Sequence, residues 1–262
     1  MKLAECVVLV TGGSSGLGEA VANMAHQQGA RVIVADRVAP RPESQLRQAD
    51  PEGLRWHWQE TDVSDETQAE QAVAAAMSRF GRLDALVNAA GVAVVEKLQG
   101  REGPHRLSSF QRALTVNLMG SFNMMRLAVP AMLQSPEPEG RDALASRGVI
   151  INTASVAAFD GQIGQVAYAA SKGGVVAMTL PAARELARDR IRVMTIAPGV
   201  FMTPMMASLP EAAQASLAAT VPHPSRLGQP EEFAALVRHI VENDYLNGEV
   251  IRLDASLRMA PR

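Results

Sequence analysis

Near its start the chain reads Cys6-Val7-Val8-Leu9-Val10-Thr11-Gly12-Gly13-Ser14-Ser15-Gly16-Leu17-Gly18, an apolar run followed by a glycine-rich turn. The run of residues 6–10 is typical of a strand that is covered on both faces. After the turn, apolar residues recur at the spacing of one helix face, at Leu17, Ala20, Val21, Met24 and Ala25. Gly29 then predicts the end of this helix. The stretch therefore predicts a strand, a tight turn and a helix.

The rest of the chain repeats this alternation of short apolar runs and longer helical patterns. The other predicted strands are residues 31–35, 55–59, 85–87, 149–152, 192–196 and 250–253, and further helices are predicted at 65–80, 109–133, 166–189 and 231–242. Strands joined by helical crossovers form parallel sheets. We expect an α/β protein with one domain over residues 1–262. It should have a doubly wound, seven-stranded parallel sheet of the Rossmann type, with helices on both faces.

Composition argues against several classes of function. The formal net charge is −2 and the pI is ≈ 6.2, so no basic excess favours a nucleic acid or an anionic membrane surface. The single cysteine, Cys6, lies in the first strand, which indicates a buried thiol and a reducing compartment. We expect no metal site, because no Cys/His cluster has zinc-ligand spacing. We also expect no membrane span, because no apolar run is long enough, and no signal peptide, because the first strand begins too early.

Three segments lie between the predicted elements. Residues 92–108 follow the fourth strand and contain Gly100, Gly103 and Pro104, which predicts a loop at the strand end where open α/β sheets bind ligands. Residues 135–147 are predicted to form a second surface loop. Residues 201–224 follow the sixth strand and are rich in Met, Pro and Ala, which favours a mobile flap over a site.

The glycine-rich turn has the properties of a phosphate site. Glycine lacks a Cβ, so backbone N–H groups there can approach a pyrophosphate, and the helix N-terminus adds partial positive charge. A tight turn without a ligand is the structural alternative. We assign the turn to a dinucleotide cofactor, with the candidate binding residues Gly12, Ser15, Gly16, Leu17 and Gly18.

Acidic residues after the next two strands suggest which dinucleotide binds. Asp36 ends the second strand, where a carboxylate can accept hydrogen bonds from both adenosine ribose hydroxyls and would repel a 2′-phosphate. This favours NAD over NADP, although the neighbouring Arg37 could contact a 2′-phosphate. Asp62 follows the third strand and precedes Val63. It could bind the adenine amino group or cap the following helix, and the two roles are compatible.

A tyrosine and a lysine suggest the chemistry. Tyr168 and Lys172 are spaced i and i+4 in a helical pattern, so they share one face. A neighbouring ammonium should stabilise the phenolate and bring the pKa of the tyrosine down toward the working pH. The alternative for Tyr168 is an interface tyrosine.

Two further polar residues fit the same site. Ser155 follows the fifth strand and could hold a substrate oxygen or cap a helix. Asn117 lies in an apolar helix pattern, so its amide needs a partner, either a proton-relay water leading to Lys172 or a backbone carbonyl.

Together these residues match the sequence pattern of a known family. The chain resembles the classical short-chain dehydrogenases/reductases in Thr11-Gly12-x-x-x-Gly16-x-Gly18, Asn88-Ala89-Ala90-Gly91, Asn117, Ser155, Tyr168-x-x-x-Lys172 and Pro198-Gly199. The resemblance implies that Asn117, Ser155, Tyr168 and Lys172 form a catalytic tetrad. It also implies that the cofactor touches Asp62 and Val63, Ala89 and Gly91, Tyr168 and Lys172, and, at the nicotinamide end, Phe201 and Thr203.

Longer runs resemble one subfamily, the type 2 3-hydroxyacyl-CoA dehydrogenases, also called 17β-hydroxysteroid dehydrogenases type 10. These runs are residues 116–123, 148–159 and 246–254, and the loop 92–108 has the length of that subfamily's insertion. The resemblance implies NAD-dependent oxidation of 3-hydroxyacyl-CoA, some activity on branched acyl-CoA and steroid alcohols, and a homotetramer. It implies that Gln162, with Ser155 and Tyr168, contacts the substrate. Arg37 and the cluster Met202, Met205 and Met206 depart from the pattern.

Two rival functions and two compartments stay open. An NADPH-dependent 3-oxoacyl carrier-protein reductase is the nearest rival, and Asp36 argues against it. A non-catalytic scaffold or RNA-processing subunit is the rival from another class, and the intact tetrad argues against it. The excess of Arg over Lys favours a bacterial cytoplasm, with the mitochondrial matrix as the alternative because relatives there also lack a cleaved leader.

Overall fold

Parallel strands form the centre of the molecule. The computed structural model describes residues 1–137, 144–208 and 210–261. Within those ranges one sheet has seven parallel strands in the order β3-β2-β1-β4-β5-β6-β7. They are β1 (Val7–Thr11), β2 (Arg31–Asp36), β3 (Trp56–Glu60), β4 (Ala85–Asn88), β5 (Gly148–Thr153), β6 (Ile191–Pro198) and β7 (Val250–Leu253). All seven predicted strands are present, and the α/β doubly wound architecture is confirmed.

Helices cover both faces of this sheet. In the described residues they are α1 (Gly16–Gln27), α2 (Gln45–Ala49), α3 (Glu66–Phe80), α4 (Leu107–Ala113), α5 (Gly120–Gln134), α6 (Val166–Glu185), α7 (Pro204–Ala207), α8 (Glu211–Ala219) and α9 (Pro230–Glu242). The predicted helix 109–133 is divided by a turn of π-helix, Leu114–Met119, which joins α4 to α5. The predicted helix 166–189 ends at Glu185 and is followed by a short 3₁₀ turn.

Alternation along β1 sends its side chains into two separate cores. Val8 and Val10 pack on the side of α1 and α9, together with Phe233. Val7 and Leu9 pack on the opposite side, against α3 and α5. Because both faces are covered, each residue of β1 is fully buried, as its unbroken apolar composition predicted.

The three connecting segments differ in outcome. Residues 92–106 are irregular, with one isolated bridge between Gln99 and Pro104. The expected flap over 201–224 contains the helices α7 and α8, which composition alone did not indicate. In the loop predicted for 135–147, residues 138–143, including Pro138 and Gly140, lie outside the described residues.

Candidate active site

The β1–α1 turn depends on two glycines for its shape. Gly12 has φ +65, and a Cβ there would lie 2.8 Å from the backbone of Ala90. A Cβ on Gly18 would lie 2.2 Å from the carbonyl oxygen of Gly12, which no side chain could tolerate. The turn therefore packs tightly against its own helix and against the end of β4. That packing leaves the N-terminus of α1, which begins at Gly16, facing an open cavity.

Asp36 holds the rim of this turn. Its two carboxylate oxygens accept hydrogen bonds from the backbone N–H groups of Ser14 (3.0 Å) and Val38 (3.2 Å). The Nε atom of the adjacent Arg37 lies 4.0 Å from Asp62 Oδ2 and is drawn toward that carboxylate. The sequence pointed to a cofactor role for Asp36, but it gave no sign of this hydrogen bonding to the turn.

The structure corrects one alternative for Asp62. The helix after β3 is capped by Asp65, whose carboxylate accepts the backbone N–H of Gln68 at 2.9 Å. Asp62 instead accepts hydrogen bonds from the backbone and the hydroxyl of Ser64, and the Ser64 hydroxyl bond is the main reason that its pKa is lowered. Its carboxylate lines the cavity, which leaves the ligand role as the remaining prediction.

Two connected cavities follow the carboxyl ends of β1, β4 and β5. We name them the glycine-turn cavity and the Tyr168 cavity. Both are lined by Leu17, Ala89, Gly91, Val92 and Thr203, so they form one continuous trough. The trough lies where the sheet order reverses between β1 and β4, the usual ligand position in such sheets. Every residue predicted to bind cofactor lines one of the two cavities.

The glycine-turn cavity also contains residues that the sequence did not single out. Its further lining includes Thr61, Ala90, Val116, Pro204 and Arg112. Arg112 is exposed on α4 and lines the same cavity as Asp36 and Asp62, so it adds a positive charge to that cavity. Only the fold could reveal Arg112, because no motif in the sequence marks it and α4 brings it to the cavity.

Tyr168 and Lys172 face the same cavity, as their spacing predicted. The Nζ atom of Lys172 lies 5.9 Å from the centroid of the Tyr168 ring. Lys172 is buried and donates a 2.7 Å hydrogen bond to the carbonyl oxygen of Thr153 at the end of β5. Thr153 thus fixes the amine at the strand end.

The structure contradicts the expected direction of the tyrosine shift. Burial raises the pKa of Tyr168 above its usual value, and the hydrogen bond with Ser155 opposes that rise only in part. The same burial lowers the pKa of Lys172 to about 8, so the amine itself is driven toward its neutral form. Desolvation is the largest cause of the shift in the pKa of both groups.

Asn117 lies in the π turn and is fully buried. Its Oδ1 accepts the backbone N–H of Val92 (2.8 Å), and its Nδ2 donates to the carbonyl oxygen of Val92 (2.9 Å) and to Ser171 Oγ (3.0 Å). Of the two partners expected for this amide, the backbone carbonyl is present. Both N–H donors are occupied, so the amide cannot also donate to a relay water.

Ser171 connects this amide to the helix that carries Tyr168. Its hydroxyl donates to the carbonyl oxygen of Tyr168 at 2.7 Å while accepting from Asn117. The sequence reasoning missed Ser171, although its position between Tyr168 and Lys172 was the available signal. The Ser171 hydroxyl therefore links α6, which carries Tyr168, to the loop after β4 through the buried amide of Asn117.

Ser155 combines the two roles that the sequence left open. Its hydroxyl caps the short 3₁₀ turn Val156–Ala158 by accepting the N–H of Ala157 at 3.1 Å. It also lines the Tyr168 cavity and hydrogen-bonds the phenol of Tyr168. The capping bond fixes the hydroxyl beside the phenol.

The structure does not bring Gln162 into the Tyr168 cavity. Its amide donates to the carbonyl oxygen of Ala260 at 2.9 Å, and Gln165 lines the cavity instead. Phe201 and Thr203 do line it, and Phe201 also packs edge-on against Phe233. Met259 lines the cavity as well, from a segment that no motif marked.

The described part of the chain contains no candidate metal site and no candidate membrane span. Across residues 1–137, 144–208 and 210–261, no group of three or more His, Cys, Asp and Glu side chains could hold a metal ion. No helix in those same ranges is long and apolar enough to cross a membrane.

Comparison with known proteins assigns the family. A family model described as short chain dehydrogenase matches residues 6–214, which include the glycine turn, Ser155, Tyr168 and Lys172. The chain belongs to the short-chain dehydrogenase family. As a short-chain dehydrogenase, it is an oxidoreductase that uses a nicotinamide cofactor.

The relatives of this short-chain dehydrogenase align along nearly its whole length. A 3-hydroxyacyl-CoA dehydrogenase type-2 from Homo sapiens is 51% identical over 257 residues, covering 97% of this chain and 96% of the relative. A 3-oxoacyl-[acyl-carrier-protein] reductase from Thermotoga maritima is 34% identical, with 98% and 99% covered. The crystal structure of a 3-hydroxyacyl-CoA dehydrogenase type-2 from Mycobacterium avium superposes with a TM-score of 0.90 at 38% identity, covering 100% of both chains.

Proposed function

We propose that this protein is an NAD-dependent 3-hydroxyacyl-CoA dehydrogenase, which interconverts 3-hydroxyacyl-CoA and 3-oxoacyl-CoA. The observation that carries the proposal is the grouping of Ser155, Tyr168 and Lys172 in one cavity that continues into the cavity of the glycine turn. The 51% identity to a relative named for this substrate, over almost the whole of both chains, supports the substrate class. Branched acyl-CoA and hydroxysteroids are additional candidate substrates within this proposal.

Four side chains carry the proposed mechanism. Bound NAD⁺ supplies the hydride acceptor, and its pyridinium ring brings a positive charge to the site. The hydroxyl of Ser155 and the phenol oxygen of Tyr168 hold the substrate oxygen by hydrogen bonds, and the phenolate of Tyr168 takes the alcohol proton. The Nζ atom of Lys172 would hold the nicotinamide ribose and favour the phenolate.

Asn117 has a positioning role in this proposal. Its amide is committed to Val92 and Ser171, so it supports the loop after β4 and the helix of Tyr168 at the same time. We therefore place Asn117 behind the site, where it orients the residues that touch substrate and cofactor. Ser171 transmits that orientation to the backbone of Tyr168.

NAD is proposed over NADP because of the charge at the rim of the glycine turn. Asp36 presents a carboxylate there, and a 2′-phosphate would be repelled by it. Arg37 is not free to neutralise the carboxylate of Asp36, since its guanidinium is directed toward Asp62. The cofactor would be held by the backbone of the turn, by Asp36 and Asp62, and by Tyr168 and Lys172.

Formation of NADH from 3-hydroxyacyl-CoA tests the proposal directly. We expect NADH fluorescence to rise with a series of 3-hydroxyacyl-CoA substrates of increasing chain length, with 2-methyl-3-hydroxybutyryl-CoA and a hydroxysteroid run beside them. We expect little product when NADP replaces NAD. Absence of NADH with every acyl-CoA of the series would refute the substrate class.

A 3-oxoacyl carrier-protein reductase is the second candidate, favoured by the relative from Thermotoga maritima. That function requires faster reduction of a carrier-protein thioester by NADPH than of the CoA thioester by NADH. Initial rates with the two pairs, measured on one preparation, distinguish the two functions. Faster turnover of the NADPH pair would favour the reductase.

We further propose a homotetramer in a bacterial cytoplasm, with the mitochondrial matrix as the alternative compartment. Large apolar side chains are exposed along the helices around the π turn and on α6, including Leu107, Met119, Phe122, Val166 and Leu180. Exposed apolar patches of this kind mark association surfaces. Sedimentation of the purified protein at the mass of a single chain would contradict the assembly.

A further inference from the structure

The chain reverses direction immediately after β7. Ala255 (φ 49) and Ser256 (φ 64) both adopt the left-handed conformation, which costs free energy for residues other than glycine. Asp254 closes this turn, because its carbonyl oxygen accepts the N–H of Leu257 (2.9 Å) and its Oδ1 accepts the N–H of Ser256 (3.1 Å). The reversal directs residues 254–261, which we call the strap, back toward the catalytic helix.

An ion-pair network anchors the strap. Arg252 in β7 donates to Asp254 Oδ2 (2.7 Å), to the carbonyl oxygen of Leu257 (3.0 Å) and to Asp160 Oδ2 (2.5 Å). Its guanidinium also lies 5.2 Å from the ring centroid of Phe159. Arg252 therefore connects the strap to the loop that separates Ser155 from Tyr168, and this pairing lowers the pKa of Asp160.

Two more hydrogen bonds hold the far end of the strap to the same loop. Gln162 Nε2 donates to the carbonyl oxygen of Ala260 (2.9 Å). The backbone N–H of Ile163 donates to the carbonyl oxygen of Pro261 (3.0 Å). Met259 lies between these bonds and the Arg252 anchor. Its position is thus fixed from both sides.

Met259 is the strap residue that lines the Tyr168 cavity, where the other apolar lining includes Phe201 and Met206. Building on the function proposed above, we propose that Met259 is a specificity-determining residue that limits the acyl chain beside the reacting carbon. A thioether side chain suits this role, because it is apolar and adapts its shape to different partners. Gln162 then serves the substrate indirectly, by holding the strap.

Substrate selectivity tests the proposal. We expect Met259→Ala to raise kcat/KM for ten-carbon relative to four-carbon 3-hydroxyacyl-CoA by about tenfold, the scale of discrimination by one or two methylene groups in an apolar pocket. Met259→Trp should shift the ratio in the opposite direction. KM for NAD should stay constant in both variants.

Met77→Ala is the matched control, since Met77 is a partly buried methionine on α3 that lines neither part of the trough. It should leave the selectivity ratio unchanged. An equal loss of rate for every chain length in the Met259 variants would show a merely structural residue and overturn the proposal. An unchanged ratio in both variants would overturn it as well.

A thiol-labelling experiment keeps this inference separate from the proposed function. If the unaltered enzyme oxidises no 3-hydroxyacyl-CoA, the proposed function fails, but the seating of Met259 can still be measured. The natural cysteine, Cys6, is buried, so Met259→Cys and Ala260→Cys each introduce one readable thiol. We expect the thiol at 259 to react with a maleimide several times more slowly than the thiol at the exposed position 260. Equal rates would overturn the proposal.

Discussion

The two ends of the trough are built in different ways. At the glycine turn the cavity is shaped by backbone atoms from one continuous stretch, residues 11–18, with Asp36 bonded to the turn from the side. At the reacting end it is lined by side chains from separate elements, including Thr153 at the end of β5 and Tyr168 on α6, while Asn117 of the π turn supports them from behind. Local glycine spacing therefore encodes the cofactor end, whereas the chemistry depends on contacts between distant segments.

Removal of the Tyr168 hydroxyl should produce the largest effect, because it should lower turnover at the reacting end while cofactor binding at the glycine turn is kept. We expect Tyr168→Phe to lower turnover by about 10²–10⁴-fold, the usual contribution of a positioned proton transfer, while NAD affinity changes little. Tyr245→Phe is the matched control, because Tyr245 is the other tyrosine and is 99% exposed. Steady-state rates and NADH titration measure both effects. Retention of most of the activity in Tyr168→Phe would mean that another group carries the proton.

The buried pair should also control how stability depends on pH. The pKa of Lys172 is lowered to about 8 in the fold, so between pH 8 and the usual value of 10.5 the unfolded chain binds more protons than the folded one. The free energy of unfolding should therefore rise with pH in that window, by up to about 3 kcal/mol. Above pH 10.5 the raised pKa of Tyr168 should make the free energy of unfolding fall again, because the folded state retains the phenol proton after the unfolded chain has lost it.

Urea unfolding of the cofactor-free protein across this pH range measures the effect. Lys172→Met should remove the rise, and Tyr168→Phe should remove the reversal. An unchanged slope in Lys172→Met would show that other groups cause the pH dependence.

At the glycine turn, the methyl group that an alanine adds should disturb the backbone. Gly18→Ala introduces a Cβ 2.2 Å from the carbonyl oxygen of Gly12, so we expect a loss of about 1–3 kcal/mol in stability and weaker NAD binding. Gly173→Ala is the comparison, because a Cβ there meets no atom within 4 Å in a helix interior. That variant should gain up to about 1 kcal/mol. Normal NADH affinity in Gly18→Ala would contradict the close packing of the turn.

The smallest effect should come from Ser171, whose hydroxyl bonds the backbone carbonyl of Tyr168. Ser171→Ala leaves an N–H of Asn117 unpaired, and we expect turnover to fall about tenfold, equivalent to ~1.4 kcal/mol, with KM for NAD unchanged. Thr179→Val removes another buried hydroxyl from α6, one that bonds Val175 and Thr195 away from the cavity. Stability should fall in both variants. A similar loss of turnover in Thr179→Val would assign Ser171 a purely structural role.

Most of the architecture could be predicted from periodicity. Apolar runs located every strand to within two residues, and Gly12 and Gly18 marked the turn, because these features depend on neighbouring residues alone. Tyr168 and Lys172 were equally accessible, since a helix brings residues four apart onto one face. The grouping of Ser155 with them follows from adjacent strand ends in a parallel sheet.

The remaining features depend on contacts that no local pattern contains. The direction in which the pKa of Tyr168 shifts required knowledge of its burial, which is the largest cause of the shift. The bond between Gln162 and Ala260 spans 98 residues, and the cavity wall at Met259 results from it. Arg112 lines the trough from α4, where no motif marks it.

The π turn between α4 and α5 sets the rotation of α5 about its own axis. Each residue in a regular helix rotates the side-chain direction by about 100°. A π turn holds about one residue more than a regular turn, because its hydrogen bonds join residues i and i+5. Winding all six residues of Leu114–Met119 into a regular helix would therefore rotate α5 by about this angle, turning Met124, Ala128 and Met132 away from the sheet. Loss of one residue from the segment would compensate for that rotation, so the π turn and its extra residue together set the direction in which α5 faces.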